Sequence, residues 1–162
     1  MKKFTVLSRD PAQTRELAAR LGALLKPGDV VALKGELGSG KTEFVRGLAA
    51  GLAVPPEVPV ASPSFVLVHE YPGRLTLMHL DLYRLEEITP EFLPNLEEYL
   101  FGDQVAAVEW AERLGDLLPP DFLEVHLSIT GETEREITFQ GFGARGRELL
   151  AALSGHLGEC RP

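Results

Sequence analysis

Apolar positions along the chain follow two rhythms, alternation by two and recurrence every three or four residues, and their order predicts strands and helices in turn. Lys3 to Leu7 reads as a first strand. Ser8 or Asp10 can then cap a helix opening near Pro11, with Leu17, Leu21, Leu24 and Leu25 as its apolar stripe. Lys26-Pro27-Gly28-Asp29 stops that helix and leads into Val30-Val31-Ala32-Leu33, a short apolar run typical of a buried strand. A second helix is predicted from Thr42 to Leu52, where Phe44, Val45, Leu48 and Leu52 share a face and Gly51 begins the end.

Four prolines between Val54 and Pro63 predict an extended loop. The strand Val66 to Tyr71, the turn Tyr71-Pro72-Gly73-Arg74 and the strand Leu75 to Leu80 make a hairpin. Thr89-Pro90 has the chemistry of a helix start, but Pro94 limits regular helix to Asn95 to Leu100. Gln104 to Val108 is another short apolar strand, and Leu114 to Leu118 completes a short helix. From Phe122 to Thr130, Leu123, Val125, Leu127 and Ile129 alternate with Glu124, His126 and Ser128, a strand with one wet face that pairs with Arg135 to Gln140. Arg147 to Leu153 closes the chain as a helix. The sequence therefore predicts one α/β domain over residues 1–154 and a flexible tail over 155–162.

One stretch carries specific chemistry. Gly35-Glu36-Leu37-Gly38-Ser39-Gly40-Lys41-Thr42 fits the P-loop pattern G-x-x-x-x-G-K-[ST], and it lies between a predicted strand and a predicted helix, as that motif requires. Gly38 and Gly40 let the loop curl so that backbone N–H groups converge on phosphate oxygens, with the positive end of the helix aimed at the same point. A plain glycine turn would account for the glycines but not for the adjacent Lys41-Thr42, a point charge for the β/γ-phosphates and a hydroxyl for magnesium. Two acids end apolar strands, Asp81 and Glu109, and either or both can serve the magnesium shell or its water. Ser62-Pro63-Ser64-Phe65 is by composition a proline turn, though it stands where nucleotide-binding proteins often keep a γ-phosphate sensor. Trp110, by residue type, belongs in the core. His69, His79, His126 and His156 are scattered without metal-ligand spacing and read as structural or surface groups.

Composition narrows the alternatives. With 162 residues, 44% hydrophobic and 25% charged, the chain has the balance of a soluble globular domain. A formal net charge of −8 argues against broad nucleic-acid binding. The single cysteine, Cys160, excludes an internal disulfide or cysteine metal site, and neither a signal-peptide core nor a membrane-length apolar run is present, which predicts a cytoplasmic protein. The guanine-reading Asn-Lys-x-Asp stretch is missing, since the lone Asn95 precedes Leu96, and this favours ATP. A small-molecule kinase is the runner-up, weakened by the lack of an arginine-rich lid, and a nucleotide-gated binding module with incidental hydrolysis is a further alternative. An ATPase without its own arginine finger is expected to be slow alone and to depend on a partner.

The P-loop run, then Ser62-Pro63-Ser64-Phe65, His79-Leu80-Asp81-Leu82-Tyr83-Arg84-Leu85 and Val108-Glu109-Trp110, in that order and spacing, resembles the bacterial TsaE (YjeE) family. The resemblance spans about Thr14 to Arg135. It implies a single P-loop NTPase domain, three-layered, with a mixed central β-sheet flanked by helices. It also implies Mg-ATP hydrolysis in the making of threonylcarbamoyladenosine at tRNA position 37, with TsaB and TsaD as partners, tRNA only indirectly, and no membrane. Residue by residue, it puts Gly35 to Thr42 and the adjoining Glu43 around the nucleotide, Lys41 on the phosphates, Thr42 and Glu109 on magnesium, and Asp81 at the hydrolytic step. Thr14, Ser64, Trp110 and Arg135 join as further nucleotide contacts, with Ser64 standing where the family carries threonine.

Overall fold

The computed structural model describes residues 3–60, 68–82 and 93–158. Among them run β1 (Lys3–Ser8), α1 (Pro11–Leu24), β2 (Val30–Lys34), α2 (Lys41–Gly51), β3 (Val68–Tyr71), β4 (Leu77–Asp81), α3 (Leu93–Leu100), β5 (Val105–Glu109), β6 (Phe122–Ile129), β7 (Arg135–Phe142) and α4 (Gly143–Gly158). The strands form one seven-stranded sheet in the order β1-β7-β6-β2-β5-β4-β3. Its centre, β6-β2-β5-β4, is parallel, while the pairs β3–β4, β6–β7 and β7–β1 are antiparallel, so the sheet is mixed.

Alternation along the central strands divides the interior into two cores. Val31 and Leu33 of β2, Leu77 of β4, Val105 and Ala107 of β5 and Val125 of β6 meet Leu17 and Leu21 of α1, Phe44 and Leu48 of α2, and Leu149 and Leu153 of α4. The intervening residues Val30, Ala32, Leu80, Ala106 and Val108 pack on the opposite face beneath Leu96 and Leu100 of α3. Three layers result. Because both faces of β2 are covered, its first four residues are all buried, which is why its sequence is a continuous apolar run rather than an alternating one.

The choice of cap for α1 falls to Asp10, whose Oδ1 accepts the Gln13 N–H at 2.9 Å. Ser8 instead turns its hydroxyl to Thr14, 2.7 Å away. α3 opens at Leu93, two residues before the predicted start, because Pro94 sits in the first turn, where a missing N–H breaks no helical bond. The predicted helix Leu114 to Leu118 is replaced by two short 3₁₀ turns, Ala111–Arg113 and Gly115–Leu117. α4 is longer than expected at both ends, and residues 155–158, assigned to a flexible tail, continue it. Gly146 lies within α4 and faces Phe122, whose carbonyl oxygen would lie 2.3 Å from any Cβ placed there.

The start of α4 is fastened to the turn before β2. Arg145 reaches buried Asp29 with two bonds, Nε to Oδ1 at 2.8 Å and Nη2 to Oδ2 at 2.7 Å. Hydrogen bonding to Asp29 is the main reason the guanidinium is held above its ordinary value. Among the described residues no helix is long and apolar enough to cross a membrane. Ser62, Pro63, Ser64, Tyr83, Arg84, Thr89, Pro90 and Cys160 lie outside the described residues.

Candidate functional site

The parallel centre of the sheet brings three strand ends to one edge: β2 runs into the glycine loop, β4 ends at Asp81 and β5 ends at Glu109. Open α/β sheets bind ligands at this carboxyl edge. Gly38 and Gly40 have φ of 82° and 102°, a left-handed backbone that bends the loop around the start of α2. The cap position is Gly40, which makes no side-chain cap bond. A helix start led by glycine leaves its first N–H groups turned to the loop, which suits an anion.

Lys41 is 5% exposed and folds back over the loop. Its Nζ donates to the carbonyls of Gly35 at 2.6 Å and Glu36 at 3.0 Å, and it lies 4.6 Å from the centre of the Trp110 ring. Burial lowers its pKa below the ordinary lysine value, partly opposed by the nearby charges of Glu109, Glu112, Asp81 and Glu36. Trp110 is partly buried and packs against the edge of the second core, so the core assignment made from residue type holds only in part. Its backbone is left-handed at φ 60°, an uncommon conformation for a bulky residue, and it turns the chain out of β5 so that the ring ends beside Lys41.

Asp81 and Glu109 are register partners on adjacent parallel strands and are 6% and 3% exposed. Two buried carboxylates side by side are costly unless a cation joins them. Thr42 Oγ1 lies 3.5 Å from Glu109 Oε2, a loose contact at the mouth of the loop. Among the described residues no group of three or more His, Cys, Asp or Glu gathers as a metal cage. A hydroxyl and two carboxylates beside a glycine-led helix start instead suit magnesium, which keeps most of its waters and takes few protein ligands.

Other expected residues fall around the loop rather than inside it. Arg135 donates from Nε to Ser39 O at 3.1 Å and from Nη2 to Gly38 O at 3.2 Å, tying the loop to the β6–β7 turn. Thr14 is 2% exposed with its hydroxyl bonded to Ser8, which is the register partner of Arg135 in the β1–β7 pairing. Glu43 is engaged by Arg15 at 2.6 Å and by Arg46. Leu37, at the loop's tip, is 69% exposed. Ser64 lies outside the described residues.

The sequence reading passed over His79. It is fully buried, and its Nε2 lies 2.5 Å from Glu109 Oε2. The signal was the period of a strand, because His79 precedes Asp81 by two residues and so shares its face.

Comparison with known proteins agrees with this architecture. The profile of the family described as "Threonylcarbamoyl adenosine biosynthesis protein TsaE" matches residues 8–137. The chain is 40% identical over 157 residues to the tRNA threonylcarbamoyladenosine biosynthesis protein TsaE of Bacillus subtilis, covering 96% of this chain and 97% of that one. It is also 40% identical over 132 residues to the Treponema pallidum protein of the same name, covering 82% of this chain and 96% of the relative. The crystal structure of Bacillus subtilis YdiB superposes with a TM-score of 0.82 at 36% identity, covering 96% of each chain. The chain belongs to the TsaE family of threonylcarbamoyl adenosine biosynthesis proteins.

Proposed function

We propose that this chain binds and hydrolyses Mg-ATP in the cytoplasm, in support of a TsaB–TsaD assembly that makes N6-threonylcarbamoyladenosine at position 37 of tRNA. The observation that carries the reading is the glycine-led start of α2 beside two buried carboxylates on adjacent strand ends. Lys41 leaves the carbonyls of Gly35 and Glu36 for the phosphate oxygens, and the loop N–H groups hold the same oxygens from the other side. Thr42 and Glu109 hold the cation, directly or through its waters. Magnesium, when bound, neutralises charge across the β- and γ-phosphates. Asp81, next to Glu109, orients the attacking water. Arg135 holds the loop in shape through its carbonyls, and Trp110 lies against the ammonium of Lys41.

Among the described residues Arg135 is bonded to loop carbonyls, Arg15 and Arg46 to Glu43, and Arg113 lies over the Trp110 ring, 5.9 Å from its centre. The transition-state charge is then best met in trans, where a supplied arginine raises turnover by roughly 10³ to 10⁵. Steady-state phosphate release is measured for the chain alone and with TsaB plus TsaD. Slow turnover alone and a large rise with the pair are expected. Equal rates overturn partner dependence, and phosphate appearing on an added acceptor overturns hydrolysis in favour of a kinase.

A further inference from the structure

Glu109 ends β5 at 3% exposure, and a side chain so placed needs something to set its rotation. Among the described residues both of its polar contacts fall on the same oxygen. Oε2 faces Thr42 Oγ1 at 3.5 Å on the loop side and His79 Nε2 at 2.5 Å on the sheet side. The register explains how this arises. Asp81 is the partner of Glu109 on β4, and His79 is the partner of Ala107, one step back along the same face. A small residue at Ala107 leaves room for the imidazole, and the glutamate leans back along the sheet to meet it.

His79 is a poor choice for packing alone. It is fully buried, and among the described residues its Nδ1 has no hydrogen-bond partner. An orphaned buried nitrogen offsets much of what the contact with the carboxylate contributes, so a hydrocarbon of similar size would fill the space at least as well. The neighbouring Tyr71 ring, 6.2 Å away between centroids, packs beside the imidazole and fixes its plane. What the imidazole supplies and a hydrocarbon does not is one N–H aimed at Glu109.

We propose that His79 is a positioning residue, whose Nε2–H holds the Glu109 carboxylate turned toward Thr42 so that the two oxygens are set to receive the cation of Mg-ATP. The inference rests on the Mg-ATP reading and names the residue that makes its metal ligand rigid. Groups that orient a ligating carboxylate typically change metal affinity when removed, by about ten- to a hundredfold.

The test is the ratio of ATP affinity in excess magnesium to ATP affinity in EDTA, followed by calorimetry and by the emission of the lone tryptophan, Trp110, beside Lys41. His79→Leu keeps the volume and removes the donor. It is expected to lower the ratio by about ten- to a hundredfold while leaving the EDTA affinity in place. His79→Gln carries an amide N–H near the position of Nε2 and should retain the ratio. His79→Asn, whose amide falls short, should lower it. A role in packing alone predicts a lower melting temperature for His79→Leu with an unchanged ratio, and that result overturns the proposal. Should His79→Leu fail to fold, equal ratios for His79→Gln and His79→Asn overturn it instead. A wild-type ratio of one overturns the Mg-ATP reading itself, and this inference with it.

Discussion

Lys41 carries a positive charge where the folded chain disfavours one. Four acids pull its pKa upward, yet desolvation outweighs them and the net shift is downward. Below the folded pKa, Lys41 is charged in both folded and unfolded states, and the apo protein bears the whole cost of burying it. As pH rises through that pKa toward the ordinary value of 10.5, the folded state releases its proton before the unfolded state does, and stability climbs. A Lys41→Met variant removes both the charge and this slope. The carbonyls it abandons, at Gly35 and Glu36, belong to residues open enough for water to replace the ammonium. Without nucleotide, Lys41→Met should therefore melt higher than wild type at neutral pH, by about 2–4 °C. With Mg-ATP the order should reverse, because the variant gains nothing from the phosphates. Melting curves with and without nucleotide decide this, and a lower apo melting temperature for the variant contradicts the argument.

At the scale of elements, α1 and α2 pack backbone to backbone at glycines of α2. A Cβ on Gly47 would lie 2.3 Å from Arg15 O, and one on Gly51 2.2 Å from Ala19 O. Helix propensity alone favours Gly47→Ala by about 1 kcal/mol. A methyl group set 2.3 Å from a backbone oxygen forces the helices apart, and overpacking of this kind costs about 1–3 kcal/mol on its own. The expected net result is destabilisation by up to about 2 kcal/mol, read from denaturant midpoints; a stabilised variant would show that α1 yields freely. The same pair shows what the sequence made legible. The apolar stripes of α1 and α2 and the four buried residues of β2 follow directly from period and hydrophobicity. So do the P-loop and the two strand-end acids. Hidden were the features set by a distant partner: α4 running through its glycines, Trp110 only partly buried and lying over Lys41, and His79 drawn onto Glu109. Local pattern names which residues enter the core, but a polar residue on a core face acquires its role only when the neighbouring strand is known.

For the whole molecule, the question is how a protein of a tRNA-modifying family meets RNA. The formal net charge is −8, and several of the described cations serve the protein's own architecture. Lys34 pairs with Glu124 at 3.1 Å, Arg15 and Arg46 flank Glu43, Arg145 is forked onto Asp29, and Arg135 is spent on loop and turn carbonyls. Binding a phosphate backbone releases counterions in proportion to the lysines and arginines that are free to face it. A cation already bonded to a carboxylate must lose that partner first, and the surrounding acids repel the same backbone. With acids in excess and these cations already engaged, the chain alone should bind tRNA more weakly than about 10⁻⁴ M at physiological salt, the weak end of ordinary non-specific binding. Filter binding with labelled tRNA measures it, and any retention should appear only when TsaB and TsaD are added. If the chain alone retained tRNA tightly, with a steep loss on adding salt, the chain itself would carry a basic surface, and its part in the modification would be direct.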